Sequence, residues 1–228
     1  MGLYAFEVDI IAGLMSNLTD RKPLSVLSFG HPDILATPLE LKHWGEFTPD
    51  NAEVLRERNY HPKPNIIGNA KPLFKALGGE LFVIDIRKTN GVDEIGDLNY
   101  AIRPFANDIV IDPGTSEHCF NVGQALVNMA RCVSMGGYIY HMVPLCHWNH
   151  GFWNFSPCAF NDFYEQNGFE VVTLQAEYRG YFQPVVTKGK FEIPTKGRKL
   201  NLMCIAKRVK DIDIGFPTQY KWPAPGRV

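Results

Sequence analysis

The sequence lacks an excess of charge of either sign and lacks a long apolar run, and each absence excludes a class of protein. The 23 basic and 24 acidic residues give a net charge of -1, so nothing global favours nucleic acid or an anionic membrane as a partner. No eighteen consecutive residues are apolar, so no membrane-spanning helix is expected. Glu7 and Asp9 stand where a secretory signal has its basic region. We therefore expect a cytoplasmic protein without a nucleic-acid or membrane partner.

Cysteine is also scarce, and its five copies form no C-x-x-C pair. Their number is odd and most lie in apolar surroundings, so we expect free buried thiols in a reducing compartment. Cys146 and Cys158 flank a histidine-rich loop, and a metal role for these two stays an alternative. The full set is Cys119, Cys132, Cys146, Cys158 and Cys204.

The length of 228 residues and the hydrophobic content of 45% suffice for one core. We expect one domain over residues 1–210, followed by an extended tail at 211–228. Prolines punctuate residues 31–72 at a density that opposes long regular elements. This insert is either a lid over a ligand site or a structural surface loop.

Hydrophobic periodicity predicts that strands alternate with helices along most of the chain. The first helix spans about 6–18, and a cleanly amphipathic helix spans 122–133 and is stopped by Gly136-Gly137. Such alternation predicts an α/β protein with a mostly parallel sheet, and the two consecutive strands at its end predict an antiparallel hairpin. The predicted strands cover 24–29, 81–85, 100–105 (weak), 108–112, 138–143, 169–174 and 200–206; the other predicted helices cover 71–77 and a segment that begins at Pro157 with Ser156 as its N-cap.

Acidic residues close two of these predicted strands. Asp85 ends the run 81–85, and Asp112 ends the run 108–112. After Asp112 a polar turn leads to Glu117 and His118. Ligands of open α/β sheets bind at the carboxyl ends of the strands, so the sequence predicts an ionisable pair at the mouth of a ligand crevice.

Histidines cluster in the same band of the predicted sheet. Four of the seven, His118, His141, His147 and His150, lie at or after the carboxyl ends of the strands 108–112 and 138–143. We expect His141, at the end of a buried strand, to be a hydrogen-bonded core residue. A metal is an open alternative, because clusters of histidines and carboxylates bind Zn, Mn or Fe. His147 and His150 are three residues apart, and the other candidates are Asp112, Glu117 and His118. Nothing fixes a ligand count, so we assign no metal ligand.

Two motifs and the order of elements resemble class I S-adenosylmethionine-dependent methyltransferases. The motifs are Gly114-Thr-Ser-Glu-His-Cys-Phe-Asn121 and His150-Gly-Phe-Trp-Asn-Phe-Ser-Pro157, and both are similar to signatures of a bacterial subgroup. The resemblance spans roughly residues 24–206. It implies a Rossmann-like, mostly parallel seven-stranded sheet with helices on both faces and a C-terminal antiparallel hairpin.

The resemblance also implies a cofactor, S-adenosylmethionine, and the residues that hold it. Asp85 is similar to the acid that binds the ribose, and Asp97-Leu98-Asn99 is similar to the turn beside the adenine. Each has a structural alternative, since Asp85 can cap the next turn and Asp97 is a turn former. The implied cofactor residues are Gly30, Asp85, Ile86, Asp97, Leu98 and Asp112.

The first turn departs from the family pattern. The family carries an acid and two or three glycines there, whereas this chain has Ser28-Phe-Gly-His-Pro-Asp33, in which only Gly30 matches. Glycines let the backbone approach a cofactor closely, and Pro32 has no amide proton to donate. Either other groups, such as Asp33 or His31, hold the methionine end of the cofactor, or binding is weak or lost.

The resemblance implies a methyltransferase that acts on a small polar acceptor. Its subgroup is tied to bacterial surface-polysaccharide pathways, so we expect a carbohydrate or nucleotide-sugar hydroxyl. We expect His118, His150 and Glu117 to be catalytic, with a histidine as general base. The structural alternatives are that Glu117 and His118 cap the next helix and that His150 stabilises its loop.

Two other functions fit the sequence. A non-catalytic member of the family, kept for binding or assembly, is the alternative that the altered first turn suggests. An NAD-dependent oxidoreductase ranks last, because no G-x-G-x-x-G follows the first strand. The expected partner is a small molecule, and a homo-oligomer stays open.

Overall fold

A computed structural model describes residues 2–18, 20, 23–48, 54–55, 66–185 and 199–220. Within these ranges the chain forms an eight-stranded mixed sheet and a smaller four-stranded sheet. Strands β1 to β12 are, in chain order, Gly2–Leu3, Leu24–Phe29, Asp33–Ile34, Val54–Leu55, Ile66–Ile67, Gly79–Asp85, Glu94–Ile95, Asn107–Asp112, Val133–Cys146, Phe169–Tyr178, Tyr181–Pro184 and Leu200–Arg208. Helices α1 to α4 are Ala5–Ser16, Ala70–Ala76, Val122–Arg131 and Pro157–Gln166, and short 3-10 helices span Lys42–Trp44 and Ser116–His118.

The large sheet has the strand order β11-β10-β12-β9-β8-β2-β6-β7. Strands β9, β8, β2, β6 and β7 run parallel, whereas β12, β10 and β11 are antiparallel to their neighbours. The predicted α/β class, the mostly parallel sheet and the C-terminal antiparallel hairpin, formed by β10 and β12, are confirmed.

Helices cover both faces of this sheet, as predicted. Successive strand residues point to opposite faces, so Val26 packs with α1 and α2, whereas Leu27 packs with α3 and α4. Tyr140 and Ile139 of β9 divide between the faces in the same way. An apolar core on each face of the sheet holds the strands in position. The polar motifs lie in the loops at the ends of these strands.

Within the described residues the large sheet has eight strands, one more than the seven predicted. Residues 100–105 form no strand, and the two-residue strand β7 occupies that edge instead. The side chain of Asn128 in α3 forms hydrogen bonds with the backbone of this segment in place of a neighbouring strand. It donates to the carbonyl of Tyr100 (2.8 Å) and accepts from the amide of Ile102 (3.3 Å). Pro104 also removes one donor. Strand β11, which extends the hairpin edge, is the eighth strand.

The expectation that Gly136-Gly137 stops a helix is also wrong. Helix α3 ends at Arg131, and β9 begins two residues later at Val133. Gly136 has φ +77, and the pairing of β8 with β9 shifts register between Asn107 and Ile109. A Cβ on Gly137 would lie 2.7 Å from the carbonyl oxygen of Asp108. The glycines therefore permit a bulge inside a strand.

The described part of the insert packs against the domain. Strands β3, β4 and β5 join β1 in the small sheet, with β1 and β3 parallel. Ile34, Ala36 and Leu41 are completely buried in the core on the α1 side. The elements here are short, as the proline density predicts. Residues 49–53 and 56–65 of the insert lie outside the described ranges.

The tail has no regular element over 211–219 and is held at the end of α4. Asn167 accepts from the amide of Gly215 (2.7 Å), and Ile214 is buried. Residues 186–198 and tail residues 221–228 lie outside the described ranges. None of the helices in those ranges has the length and apolar character that a bilayer crossing needs.

Candidate functional site

The two sequence motifs meet at the carboxyl ends of the neighbouring strands β8 and β9. The amide of Phe152 donates to the carbonyl of Glu117 (2.8 Å), and the indole N–H of Trp153 donates to the carbonyl of Cys119 (3.0 Å). Gly151 is pressed against Glu117, since a Cβ there would lie 2.7 Å from that residue's carbonyl oxygen. The motifs, far apart in sequence, therefore form one surface.

Glu117 lies at the centre of this surface, and its side chain is 1% exposed. Its Oε1 is 3.5 Å from Nε2 of His150 and 3.8 Å from Nε2 of His118. Its Oε2 is buried and has no hydrogen-bond partner within the described part of the chain. The two imidazoles are about half exposed. The structure therefore brings together the three residues that we expected to be catalytic.

His147 extends this group of side chains. Its ring centroid is 5.3 Å from that of His150. Burial, and secondarily the charges of His150 and Lys199, lower the pKa of His147 below its ordinary value. This imidazole is therefore neutral at neutral pH.

The four residues Glu117, His118, His147 and His150 line one wall of a cavity of about 290 Å³, which we call the histidine pocket. Tyr4, Glu7, Leu35 and Asn201 contribute other parts of its lining. The sequence alone predicted none of Tyr4, Glu7, Leu35 and Asn201 as site residues. They come from the first helix, the insert and the last strand, and only the tertiary fold brings them to the cavity.

Glu7 is a completely buried carboxyl of α1. Its oxygens accept from the amide of Tyr4 (2.9 Å) and from the hydroxyl of Tyr140 (2.9 Å). Burial raises the pKa of Glu7 to about 8, against the lowering effect of these two hydrogen bonds. At neutral pH the histidine pocket therefore has a protonated carboxyl in its lining.

A second cavity, of about 110 Å³, lies at the carboxyl ends of β2 and β6, and we call it the strand-end cleft. Five of the six residues that the resemblance assigns to the cofactor line this cleft. His118 lines both the cleft and the histidine pocket, so the two cavities share a wall. The five lining residues are Gly30, Asp85, Ile86, Asp97 and Leu98.

Asp85 both lines the cleft and holds the first turn. Its Oδ2 accepts from the amide of His31 (2.8 Å), and its Oδ1 accepts from the amide of Arg87 (2.9 Å). Gly30 has φ +90, in the left-handed region that favours glycine, and its amide donates to the carbonyl of Ile84. A carboxylate has about four acceptor sites, so, with respect to the described residues, each oxygen of Asp85 retains one for a ligand.

The turn at Asp97 forms another wall. Oδ1 of Asp97 accepts from both the backbone amide and the side-chain amide of Asn99. Asn99 in turn accepts from the amide of Asn121 (2.8 Å), the N-cap of α3. Leu98 and the exposed Ile86 give the cleft an apolar lining. The turn is thus fixed to α3 and presents its apolar side to the cleft.

Asp112, the sixth expected cofactor residue, is not part of the cleft. Its side chain is completely buried and accepts from Ser116 and from Nδ1 of His141 (2.8 Å). Burial raises the pKa of Asp112, but the hydrogen bonds and charge of His141 and the bonds from Ser116 and Thr115 outweigh it, so the pKa lies below its ordinary value. The other ring nitrogen of His141 meets the hydroxyl of Tyr164. Asp112 therefore orders the turn before Glu117, and His141 is the hydrogen-bonded core residue that we expected.

The cysteines contribute no disulfide, since all five are free thiols, three of them buried. Burial raises the pKa of Cys119, which lines the strand-end cleft, to about 12. This thiol is therefore protonated at neutral pH and is not a nucleophile.

No protein-family model matches this chain, and no curated protein matches its sequence. Among solved structures, it is similar to Burkholderia thailandensis 1,6-didemethyltoxoflavin-N1-methyltransferase with bound 1,6-didemethyltoxoflavin and S-adenosylhomocysteine. The identity is 14%, the match covers 89% of this chain and 78% of that chain, and the TM-score is 0.50. It is also similar to residues 961–1257 of StiE O-MT, with 10% identity, 90% and 74% coverage and a TM-score of 0.51. The chain thus has an α/β Rossmann-like methyltransferase fold.

Proposed function

We propose that this protein is an S-adenosylmethionine-dependent methyltransferase that acts on a hydroxyl of a small polar acceptor, a carbohydrate or nucleotide-sugar. One observation carries the proposal: the strand-end cleft, with its acid and apolar walls, joins the histidine pocket at His118. A donor site and an acceptor site must share a boundary for a group to pass between them.

The residues of the strand-end cleft fit the adenosyl part of the cofactor. Asp85 has free acceptor sites for ribose hydroxyls, Leu98 and Ile86 offer apolar surface to a base, and Gly30 allows close backbone approach. The cleft is smaller than the roughly 300–1,000 Å³ of typical small-molecule sites, so the remainder of the cofactor would need the adjoining space. When bound, the cofactor supplies an electrophilic methyl group on a sulfonium.

The histidine pocket fits a polar acceptor rather than an apolar one. Carboxyl, imidazole and amide groups from Glu7, Glu117, His147 and Asn201 line it, and these groups both donate and accept hydrogen bonds. Sugar hydroxyls have the same dual character. The preference for a carbohydrate also rests on the resemblance of the two motifs, which is an argument by analogy.

His150 or His118 would accept the proton that the acceptor hydroxyl loses. Oε1 of Glu117 is within 3.8 Å of both imidazoles and would stabilise the imidazolium that forms. The burial of Glu117 and the backbone hydrogen bond between Phe152 and Glu117 fix the position of the carboxylate relative to the loop that carries His150. We therefore assign proton transfer to this group and positioning to Glu117.

Isothermal titration with S-adenosylmethionine and S-adenosylhomocysteine tests the donor site. We expect micromolar binding by the wild type and at least tenfold weaker binding by Asp85→Asn, because the amide retains only one acceptor oxygen. Asp211→Asn, at an exposed carboxylate paired with Arg208, is the matched control and should bind as the wild type does. The absence of heat at high micromolar cofactor would overturn the proposal.

Turnover of His150→Ala tests the base. With a pool of sugars and nucleotide-sugars as acceptors, we expect turnover to fall roughly ten- to ten-thousandfold, the range for loss of acid–base assistance. Binding of S-adenosylhomocysteine should be unchanged. Unaltered turnover would assign His150 to the support of its loop.

A second candidate function, a non-catalytic relative of methyltransferases, is favoured by the first turn. The amide of His31 is already bonded to Asp85, and Pro32 has none, so this turn offers few donors to a cofactor. The titration above decides between the two, since a non-catalytic protein with a lost site would bind neither ligand.

A further inference from the structure

We infer that Glu117, His118 and His150 form a binding site for one divalent transition-metal ion. The three ligand atoms, a carboxylate oxygen and two imidazole nitrogens, all lie within 4.8 Å of one another. This inference goes beyond the proposed function and does not depend on it, because the ion would bind whether or not the cofactor does.

The distances are close to those that a small ion requires. Metal–ligand bonds of about 2.0–2.1 Å at tetrahedral angles place ligand atoms roughly 3.3 Å apart. Oε1 of Glu117 is 3.5 Å from one imidazole nitrogen and 3.8 Å from the other. Both histidine side chains are about half exposed, so small rotations bring them to a shared ion without disturbing the core.

The burial of Glu117 is a second, independent observation that points to a cation. Its side chain is 1% exposed, and its Oε2 has no hydrogen-bond partner among the residues that the structure describes. A buried ionised carboxylate is costly unless a charge or hydrogen bonds compensate it. An ion bound between Oε1 and the two histidines would compensate the charge of this carboxylate.

The ligand set selects the class of ion. Two imidazoles and one carboxylate suit Zn²⁺, Fe²⁺ or Mn²⁺, whereas Mg²⁺ and Ca²⁺ prefer oxygen ligands. Three protein ligands leave at least one coordination position open, the pattern of catalytic rather than structural zinc sites. All three residues line the histidine pocket, so the open position would face a bound acceptor.

An ion here would change how the acceptor is activated. The imidazoles of His118 and His150 would then be ligands and could not accept a proton. A hydroxyl bound at the open position would instead become more acidic through coordination. The base role of the histidines and the metal role are therefore alternative states of one group of side chains, and metal content distinguishes them.

The experiment is titration of tag-free, chelator-treated protein with Zn²⁺ and, separately, Co²⁺, followed by calorimetry and by visible absorption of the cobalt form. We expect one ion per chain with micromolar or tighter affinity, and no competition from millimolar Mg²⁺. Glu117→Gln and His150→Ala should each weaken binding at least tenfold. His43→Ala, which alters an exposed histidine paired with Asp9, is the matched control and should bind normally.

Thermal melts of the metal-free variants separate loss of a ligand from loss of the fold. If Glu117→Gln fails to fold, His150→Ala and His118→Ala still test the site, because both side chains are half exposed. Absence of stoichiometric binding, or equal affinity in wild type and His150→Ala, would overturn the inference. Cofactor titration of the same metal-free protein reports on the proposed function separately.

Discussion

Substitution of Glu7 by glutamine should remove a large part of the pH dependence of stability. Glu7 is completely buried, and its pKa is raised from 4.5 to about 8 in the folded protein. The unfolded chain releases this proton near pH 4.5, whereas the folded protein keeps it up to about pH 8. Between these values the folded state binds one more proton, so its stability is greatest at the acidic end and falls as pH rises.

The magnitude follows from the linkage between proton binding and stability. When the folded state binds one proton more than the unfolded state, the free energy of unfolding falls by about 1.4 kcal/mol for each unit of pH increase. Over the full window from 4.5 to about 8 this amounts to on the order of 5 kcal/mol. Two pH units within the window therefore remove roughly 3 kcal/mol.

The assay is urea unfolding of wild type and Glu7→Gln at about pH 5.5, 6.5 and 7.5. His147, whose lowered pKa makes stability rise with pH in the acidic part of this range, contributes equally to both proteins. The difference between them therefore isolates Glu7. Glutamine has one acceptor oxygen for the two donors at this position, so the variant also loses about 1–3 kcal/mol at every pH.

Exposed Glu170 on β10 provides the matched control, and Glu170→Gln should keep the wild-type pH dependence. The reasoning is refuted if wild type and Glu7→Gln lose stability in parallel over this range. That result would mean that Glu7 is ionised in the folded protein and adds a negative charge to the histidine pocket.

Two further substitutions test the packing that supports the site. Gly151→Ala should destabilise the protein by about 1–3 kcal/mol, since its Cβ would lie 2.7 Å from the carbonyl oxygen of Glu117. Gly13→Ala is the control: a Cβ there would have nothing within 4 Å and should stabilise α1 by about 0.5–1 kcal/mol. Chemical denaturation measures both changes. Asp112→Asn should cost about 3–5 kcal/mol, because it removes the charge from a buried pair with His141; a melting temperature within a degree of wild type would contradict this account.

The sequence predicted the meeting of the two motifs, because both follow neighbouring parallel strands. The resemblance implied five of the residues that line one cleft, and they lie together because Asp85 and the turn at Asp97 follow the edge of the same sheet. Strand ends and turn residues are local signals, and the edge of an open sheet collects them.

Asp112 was expected to bind the cofactor, and the alternation of side chains along its strand explains why it lies outside the cleft. Side chains alternate along a strand, and Val110 packs on the face of α3 and α4, so Asp112 points to that face as well. Val83 packs on the opposite face, and Asp85 shares its side. Both carboxylates therefore lie at the same edge of the sheet, as their positions at the strand ends predict, but they point to opposite faces of it.

Glu7 and the insert show what a local reading cannot supply. Glu7 lies four residues before Ile11 and seven before Leu14, both buried, so its position on the apolar side of α1 was a readable signal of a buried carboxyl. The approach of Leu35 and Asn201 to the histidine pocket was not readable, because it depends on pairings between distant strands.

The claim that the strand-end cleft holds an adenosyl group is tested most directly by a crystal structure of the protein with S-adenosylhomocysteine. The account predicts that the ribose hydroxyls lie within hydrogen-bonding distance of the Asp85 carboxylate, with the base against Leu98 and the sulfur toward His118. A nucleoside bound elsewhere, or a cleft that stays closed with Asp85 bonded only to the amides of His31 and Arg87, would contradict it.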